Sequence, residues 1–188
     1  NLDGKIELVA GCFSSDPEKS RSSGEDYFLN PSRVYANYRE MAEKEAALPE
    51  DQRIDFVSIV VQNNMHFPVA ETFLKEGFHV ICDKPMTISL ESALELRDLV
   101  DETGQIFGLT HNYTGYPMVR QAREMVLSGE LGEINAIRSN YIQGWLRTRL
   151  EAEGQKQASW RTDPSRSGVA GCFGDIGTHA YNLGRYIS

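Results

Sequence analysis

Along the first hundred residues, short continuous apolar runs alternate with segments whose apolar residues recur every three or four positions. Ile6 to Phe13 is the first apolar run and leads into the loop Ser14-Ser15-Asp16-Pro17. Arg33 to Leu48 carries helical spacing and is stopped by Pro49. Ile54 to Val61 is continuous, β-branched and too short for a buried helix, which predicts a strand. Val69, Ala70, Phe73 and Leu74 then fall on one helical face between Pro68, which opens the helix, and Gly77, which closes it. Phe78 to Cys82 predicts the next strand. Ser89 caps a helix through Thr103 that turns Ala93, Leu96, Leu99 and Val100 inward and ends at Gly104. Ile106 to Thr110 predicts another strand. Strand-helix-strand repeated in this way needs crossover connections, and so predicts an α/β fold with a doubly wound, mainly parallel sheet covered on both faces.

The rhythm changes after His111. A helix is expected over Tyr116–Leu127, a turn over Gly129–Gly132 and a long strand over Ile134–Gln143. Arg147–Ser167 is polar and rich in turn residues, so it reads as an extended loop, and a last helix starts near Phe173. Residues 1–113 therefore form one domain, and 114–188 the start of a second. Neither a repeat nor a low-complexity tract interrupts them.

With 188 residues, 40% of them hydrophobic and 24% charged, the chain can bury a sizeable core. Acidic residues outnumber basic ones by 27 to 19, for a net charge of −8. That excess argues against nucleic acid as the main partner, because phosphate backbones call for clustered Lys and Arg. No apolar run approaches the ~20 residues of a membrane span. The start, Asn1-Leu2-Asp3-Gly4, has neither a basic nor an apolar stretch of the export-signal kind and reads as an interior of a longer chain. Cys12, Cys82 and Cys172 are odd in number and far apart. They read as small buried apolar residues of a reducing compartment, and the expected location is cytoplasmic.

In an open parallel sheet, ligands bind beyond the carboxyl ends of the strands. The loops leaving those ends are Ser14-Ser15, Gln62-Asn63-Asn64, Asp83-Lys84-Pro85 and His111-Asn112-Tyr113. Lys84 follows a buried strand directly, and Pro85 restricts its backbone to an extended form. A lysine so placed can donate to a substrate hydroxyl or help move its proton, although for the residue taken alone a solvated turn lysine is the stronger reading. Asp175 and His179 share one helical face, where a carboxylate can fix the imidazole tautomer and raise its basicity. An ordinary helix cap is the competing interpretation of that pair. With no third ligand at a recognisable spacing, no metal site is expected. Tyr113, Trp145, Trp160 and Arg161 are candidates for a ligand pocket, with core packing the equal alternative for each tryptophan.

Asp83-Lys84-Pro85 and, some ninety residues later, Ala170-Gly171-Cys172-Phe173-Gly174-Asp175-Ile176-Gly177-Thr178-His179 resemble the two signatures of the glucose-fructose oxidoreductase / inositol dehydrogenase / rhizopine-catabolism (Gfo/Idh/MocA) family. Asn63-Asn64-Met65-His66 resembles that family's loop near the nicotinamide. The resemblance implies a Rossmann domain followed by an α/β domain with a large open sheet, in a homo-oligomer such as a dimer or tetramer. It also implies hydride transfer between NAD or NADP and a secondary alcohol of a sugar, inositol or related polyol. Lys84 would touch the reacting hydroxyl, His179 would act as acid/base and Asp175 would orient the substrate or the histidine. Ser14, Ser15, Asn63, His66 and Lys84 would meet the cofactor, and Tyr113, Trp160 and Arg161 the substrate.

The sequence departs from the family pattern at several places. Asp83 replaces a glutamate, Gln62 a proline, and Asn182 stands where the family often has an acid. No Gly-x-Gly-x-x-Gly precedes Ile6, so the family's phosphate loop is expected upstream, and a chain without it should hold the cofactor poorly. Ser14 and Ser15, followed by Lys19 and Arg21, tolerate a 2′-phosphate, while Asp16 is near enough to serve a 2′-hydroxyl. Two other activities stay open: an NAD-dependent glycoside hydrolase of the same family and a non-catalytic ligand-binding relative.

Overall fold

The computed structural model describes residues 3–188. Asp16 caps helix α1 (Pro17–Asp26), accepting from the backbone N–H groups of Glu18 and Lys19, with Pro17 in the first turn. Helix α2 (Tyr38–Ala46) follows. Strand β1 (Phe56–Ile59), helix α3 (His66–Lys75), strand β2 (His79–Asp83), helix α4 (Leu90–Thr103) and strand β3 (Phe107–Thr110) form the centre of the molecule. The three strands run parallel in the order β1-β2-β3, with Ser58 beside Ile81 and Asp83 beside Thr110. Helices α3 and α4 supply the crossovers that a parallel pair requires. Their ends follow the sequence signals. Ser89 caps α4, and Gly104 leaves it at φ +68°, a conformation that glycine takes without steric cost.

The core gathers where these elements meet. Phe73, Leu74, Phe78, Val80, Cys82 and Leu96 are all at most 1% exposed. Burial, and then the neighbouring Asp83 charge, push the Cys82 thiol up to about 12, so it is an inert packing residue. Cys12 is half-buried and Cys172 exposed, so the expectation of three buried cysteines holds for Cys82 alone.

Glu45 is the one fully buried carboxylate among the described residues. Arg33 donates to it through Nε at 3.0 Å, Tyr35 OH at 2.7 Å and the Ile54 backbone N–H at 3.1 Å. It thereby ties the entry of β1 to α2. Glu45→Gln keeps the volume but loses the charge facing Arg33, and is expected to cost about 1–3 kcal/mol of stability. Urea titration of the variant checks this, and an unchanged midpoint would show the network to be dispensable.

Helix α5 (Pro117–Leu127) begins the second part, followed by α6 (Lys156–Arg161), α7 (Pro164–Ser167), a π-helical turn (Phe173–Gly177) and α8 (Thr178–Ile187). Three expectations are corrected here, and one helix is added. Ile6–Phe13 contributes only the Gly11–Val34 bridge, and Ile134–Gln143 is assigned to no strand. A strand is defined by a ladder of hydrogen bonds to a neighbour, and beyond that single bridge no extended segment pairs with either run among the described residues. Ile142 is accordingly 93% exposed. Arg147–Ser167 holds α6, α7 and a 3-10 turn (Leu150–Glu153) instead of one loop. Helix α1 was hidden by its polar sequence, since only Ser20 and Gly24 in it are buried. Among the described residues, no helix is long and apolar enough to cross a membrane.

Candidate active site

The loop after β2 carries Lys84 into a cavity of about 240 Å³ whose walls come from both halves of the chain. Lys84, Tyr113, Tyr141, Gln143, Trp145, Arg161, Asp175, Ile176 and His179 line it. Lys84 sits at the carboxyl end of the central strand because Val80 and Cys82 anchor β2 in the core. Behind it, His66 is 1% exposed, with Nδ1 at 2.6 Å from the Pro85 carbonyl oxygen and Nε2 at 3.2 Å from that of Val61. Thr110 on β3 donates to the Asp83 carboxylate at 2.8 Å and steadies the loop from the other side.

Asp175 is brought to Lys84 by the π-helical turn that precedes α8. The lysine ammonium donates to Asp175 Oδ1 at 2.6 Å and also to its backbone carbonyl. Arg161 Nε lies 3.4 Å from the second carboxylate oxygen. The Asp175 carboxylate is thus occupied by two cations, whereas the expected pairing was with His179. Both residues still line the same cavity, but the Asp175 carboxylate is taken up by Lys84 and Arg161 and makes no hydrogen bond to His179.

His179 lies among aromatic rings instead. The Tyr113 ring centroid is 4.5 Å away, that of Tyr141 6.0 Å and that of His111 5.9 Å. Its Nδ1 is buried and has no hydrogen-bond partner. Burial first, and then the Lys84 and His111 charges, hold the imidazole below its ordinary pKa, with Asp175 pulling weakly the other way. His179 is therefore a neutral base near pH 7. Tyr113 and Tyr141 share a 2.6 Å hydrogen bond, and this bond, with burial, pushes Tyr113 up to about 12.

The other residues singled out in the sequence are placed unevenly. Tyr113 and Arg161 line the cavity, but Trp160 is buried, donating to Gln157 at 3.1 Å with its ring under the Arg161 guanidinium. The cavity-facing tryptophan is Trp145. Asn63 is buried, donating to the Ser167 carbonyl oxygen at 3.0 Å, which pins α7 to the loop after β1. Gly168, at φ +89°, continues that contact, since a Cβ there would lie 3.0 Å from the Ile88 carbonyl oxygen. Ser14 Oγ accepts from the Asp16 N–H, and Ser15 is exposed. Asp16 itself is taken up by the cap of α1. Tyr141 and Gln143 were missed, although their alternate spacing in an extended run sets them on one face.

A lysine, a carboxylate and an imidazole thus converge beyond the carboxyl edge of a parallel α/β sheet, the place where ligands of such sheets bind. Residues 3–123 match the oxidoreductase family with the NAD-binding Rossmann fold, and residues 119–188 match the GFO/IDH/MocA C-terminal domain. The chain belongs to the Gfo/Idh/MocA family.

An uncharacterized oxidoreductase of Bacillus subtilis (strain 168) is 32% identical over 185 residues, covering 97% of this chain and 46% of the relative. The levoglucosan dehydrogenase of Pseudarthrobacter phenanthrenivorans is 30% identical over 138 residues, covering 73% of this chain and 34% of the relative. An inositol dehydrogenase homolog from Azotobacter vinelandii, solved in complex with NAD+, superposes with a TM-score of 0.92 at 36% identity. It is matched over 98% of this chain and 47% of its own. The chain thus spans less than half the length of these relatives.

Proposed function

We propose that the protein of which this chain is part is an NAD(P)-dependent dehydrogenase acting on a secondary alcohol of an inositol, sugar or related polyol. The observation that carries this reading is the shared cavity that holds Lys84 and His179, one from each half of the chain. A polyol fits its polar walls, with Trp145 offering a ring face and Gln143 and Arg161 offering donors. The dehydrogenases named above act on ligands of this kind.

The residues present also fit the nicotinamide end of the cofactor. Asn64 Oδ1, beside the carboxyl end of β1, is a buried acceptor without a partner, the complement of a carboxamide N–H. Lys84 and the loops after β1 and β2 would hold that end, and Ser14 and Ser15, in the loop before α1, would meet a ribose. The nicotinamide, when bound, supplies the hydride acceptor. The chain's own residues do the rest. Lys84 donates to the reacting hydroxyl oxygen and favours its negative charge. His179 accepts the hydroxyl proton. Asp175 holds Lys84 and Arg161 in place, and the Tyr113–Tyr141 pair walls the imidazole from water.

The direct test is the full-length protein with NAD and with NADP, offered myo-inositol, levoglucosan and a panel of aldoses. Growth of reduced-nicotinamide absorbance with at least one polyol is expected. Release of an aglycone without net reduced cofactor, or ligand binding without turnover across the panel, would overturn the reading.

The pH dependence follows from His179. Its pKa is lowered, so oxidation should keep its full rate below the ordinary imidazole value of about 6.5 before falling on the acid side. A pH profile of kcat/KM in the oxidative direction measures this limb, and a limb lying above the ordinary value would contradict it.

A further inference from the structure

A second imidazole stands behind the first. His111 leaves the carboxyl end of β3, and its ring meets that of His179 edge to face, at 5.9 Å and 85°. The nitrogens without partners are complementary, because Nδ1 of His179 and Nε2 of His111 are both buried and make no hydrogen bond. A buried polar atom left unpaired costs about 1–3 kcal/mol, so two of them in touching rings call for a common explanation. His179 lines the cavity with Nδ1 buried, which leaves Nε2 to the cavity side. His111 does not line the cavity, and its other nitrogen, Nδ1, belongs to the outer side of a half-buried residue. The order from the cavity outward is therefore Nε2 and Nδ1 of His179, then Nε2 and Nδ1 of His111.

We propose that His111 is the proton partner of His179, carrying to solvent the proton that alcohol oxidation releases inside the cavity. This rests on the dehydrogenase reading above. In the resting state, each ring holds its proton on Nδ1. As the substrate O–H bond breaks, an N–H bond forms at Nε2 of His179. The Nδ1 proton of His179 passes to Nε2 of His111 through one bridging water. His111 then gives up its own Nδ1 proton. One proton leaves per alcohol oxidised, neither ring gains net charge, and both rings are left with the proton on Nε2. After product release, His179 Nε2 gives its proton to water in the cavity and one proton returns from solvent through His111, which restores both Nδ1–H forms. His111 acts through His179 and so is a positioning residue with a proton-accepting role.

The surroundings suit this task. Lys84 faces both rings from the loop after β2, Asp175 from the π turn, Tyr113 from the segment after β3 and Tyr141 from the extended run. Burial, followed by the Lys84 charge, holds His111 below its ordinary pKa, as it does His179. Both rings are then neutral near pH 7 and free to accept. Their mutual repulsion when charged means that the pair carries at most one extra proton at a time.

His111→Gln in the full-length protein tests the proposal, because glutamine keeps a polar side chain but cannot titrate. Its kcat in the oxidative direction should fall roughly tenfold with little change in KM, a smaller loss than that of a direct acid/base. Added imidazole should restore part of the rate. The His179 ring titration, followed by NMR and assigned by its loss in His179→Asn, should move to higher pH once the His111 charge is gone. A folded variant with wild-type kcat, or a slowed one with neither imidazole rescue nor a shifted titration, would overturn the proposal. The titration needs no turnover. If the wild-type protein oxidises no polyol, the functional reading fails, and the absence or presence of the shift still decides whether the two rings are coupled.

Discussion

Lys84→Met in the full-length protein should lower kcat/KM for polyol oxidation by about 10²–10⁴-fold while leaving the fold intact. The ammonium is the strongest donor at the cavity and the group best placed to favour negative charge on the substrate oxygen, a contribution of the size expected from acid/base catalysis. Methionine keeps the length of the stem and removes the charge. Asp175 retains Arg161 at 3.4 Å, so its carboxylate is not left buried and unpaired, and the melting temperature should change little. A second readout separates chemistry from packing. The Lys84 charge disfavours the imidazolium of His179, so its removal lets the ring hold a proton at higher pH, and the acid limb of any residual activity should move up. Initial rates across pH, with a thermal melt as control, decide the matter. A folded variant with undiminished kcat/KM would rule Lys84 out of the chemistry.

His179→Asn should be comparably severe, with a loss of about 10²–10⁴-fold in kcat near pH 7. Asparagine cannot accept the proton, so the residual rate should climb with pH as solvent base substitutes, and the acid limb should vanish. The change also bears on stability. The folded-state pKa of His179 is depressed, so the unfolded chain takes up the proton first and stability declines as pH drops through about 6.5, until the folded ring also titrates. In the variant that share of the decline is absent, and melting temperature should depend less on pH in this window. Thermal melts at several pH values measure the difference. Retention of wild-type turnover would sink the assignment of His179 as base.

The central sheet was legible because its signals are local. Ser89, Gly104 and the β-branched run before Gln62 each act on their own few residues, and α4 and β1 appear where they predict. Lys84 and His179 were legible through motif resemblance, since nothing in spacing alone brings together residues from such distant segments. The tertiary contacts were not legible. Trp160 and Trp145 are equivalent in composition, and only folding puts one under Arg161 and the other on the cavity. The π turn that carries Asp175 to Lys84 has no mark in a helical wheel, which assumes regular winding. His66 matched a loop beside the nicotinamide, yet its ring lies beneath Pro85, since a side chain after a short turn can point into the core as readily as outward.

The Lys84–Asp175 contact also bears on how a ligand enters. It joins residues 91 positions apart, and the Asn63–Ser167 hydrogen bond joins residues 104 apart, so the cleft is fastened at two points. Under the proposed reading, an incoming alcohol would find the ammonium already satisfied and would have to share it with a carboxylate. Such a hydroxyl competes poorly while uncharged and well once it carries negative charge, so the latch weakens the grip on the resting substrate far more than on the activated one.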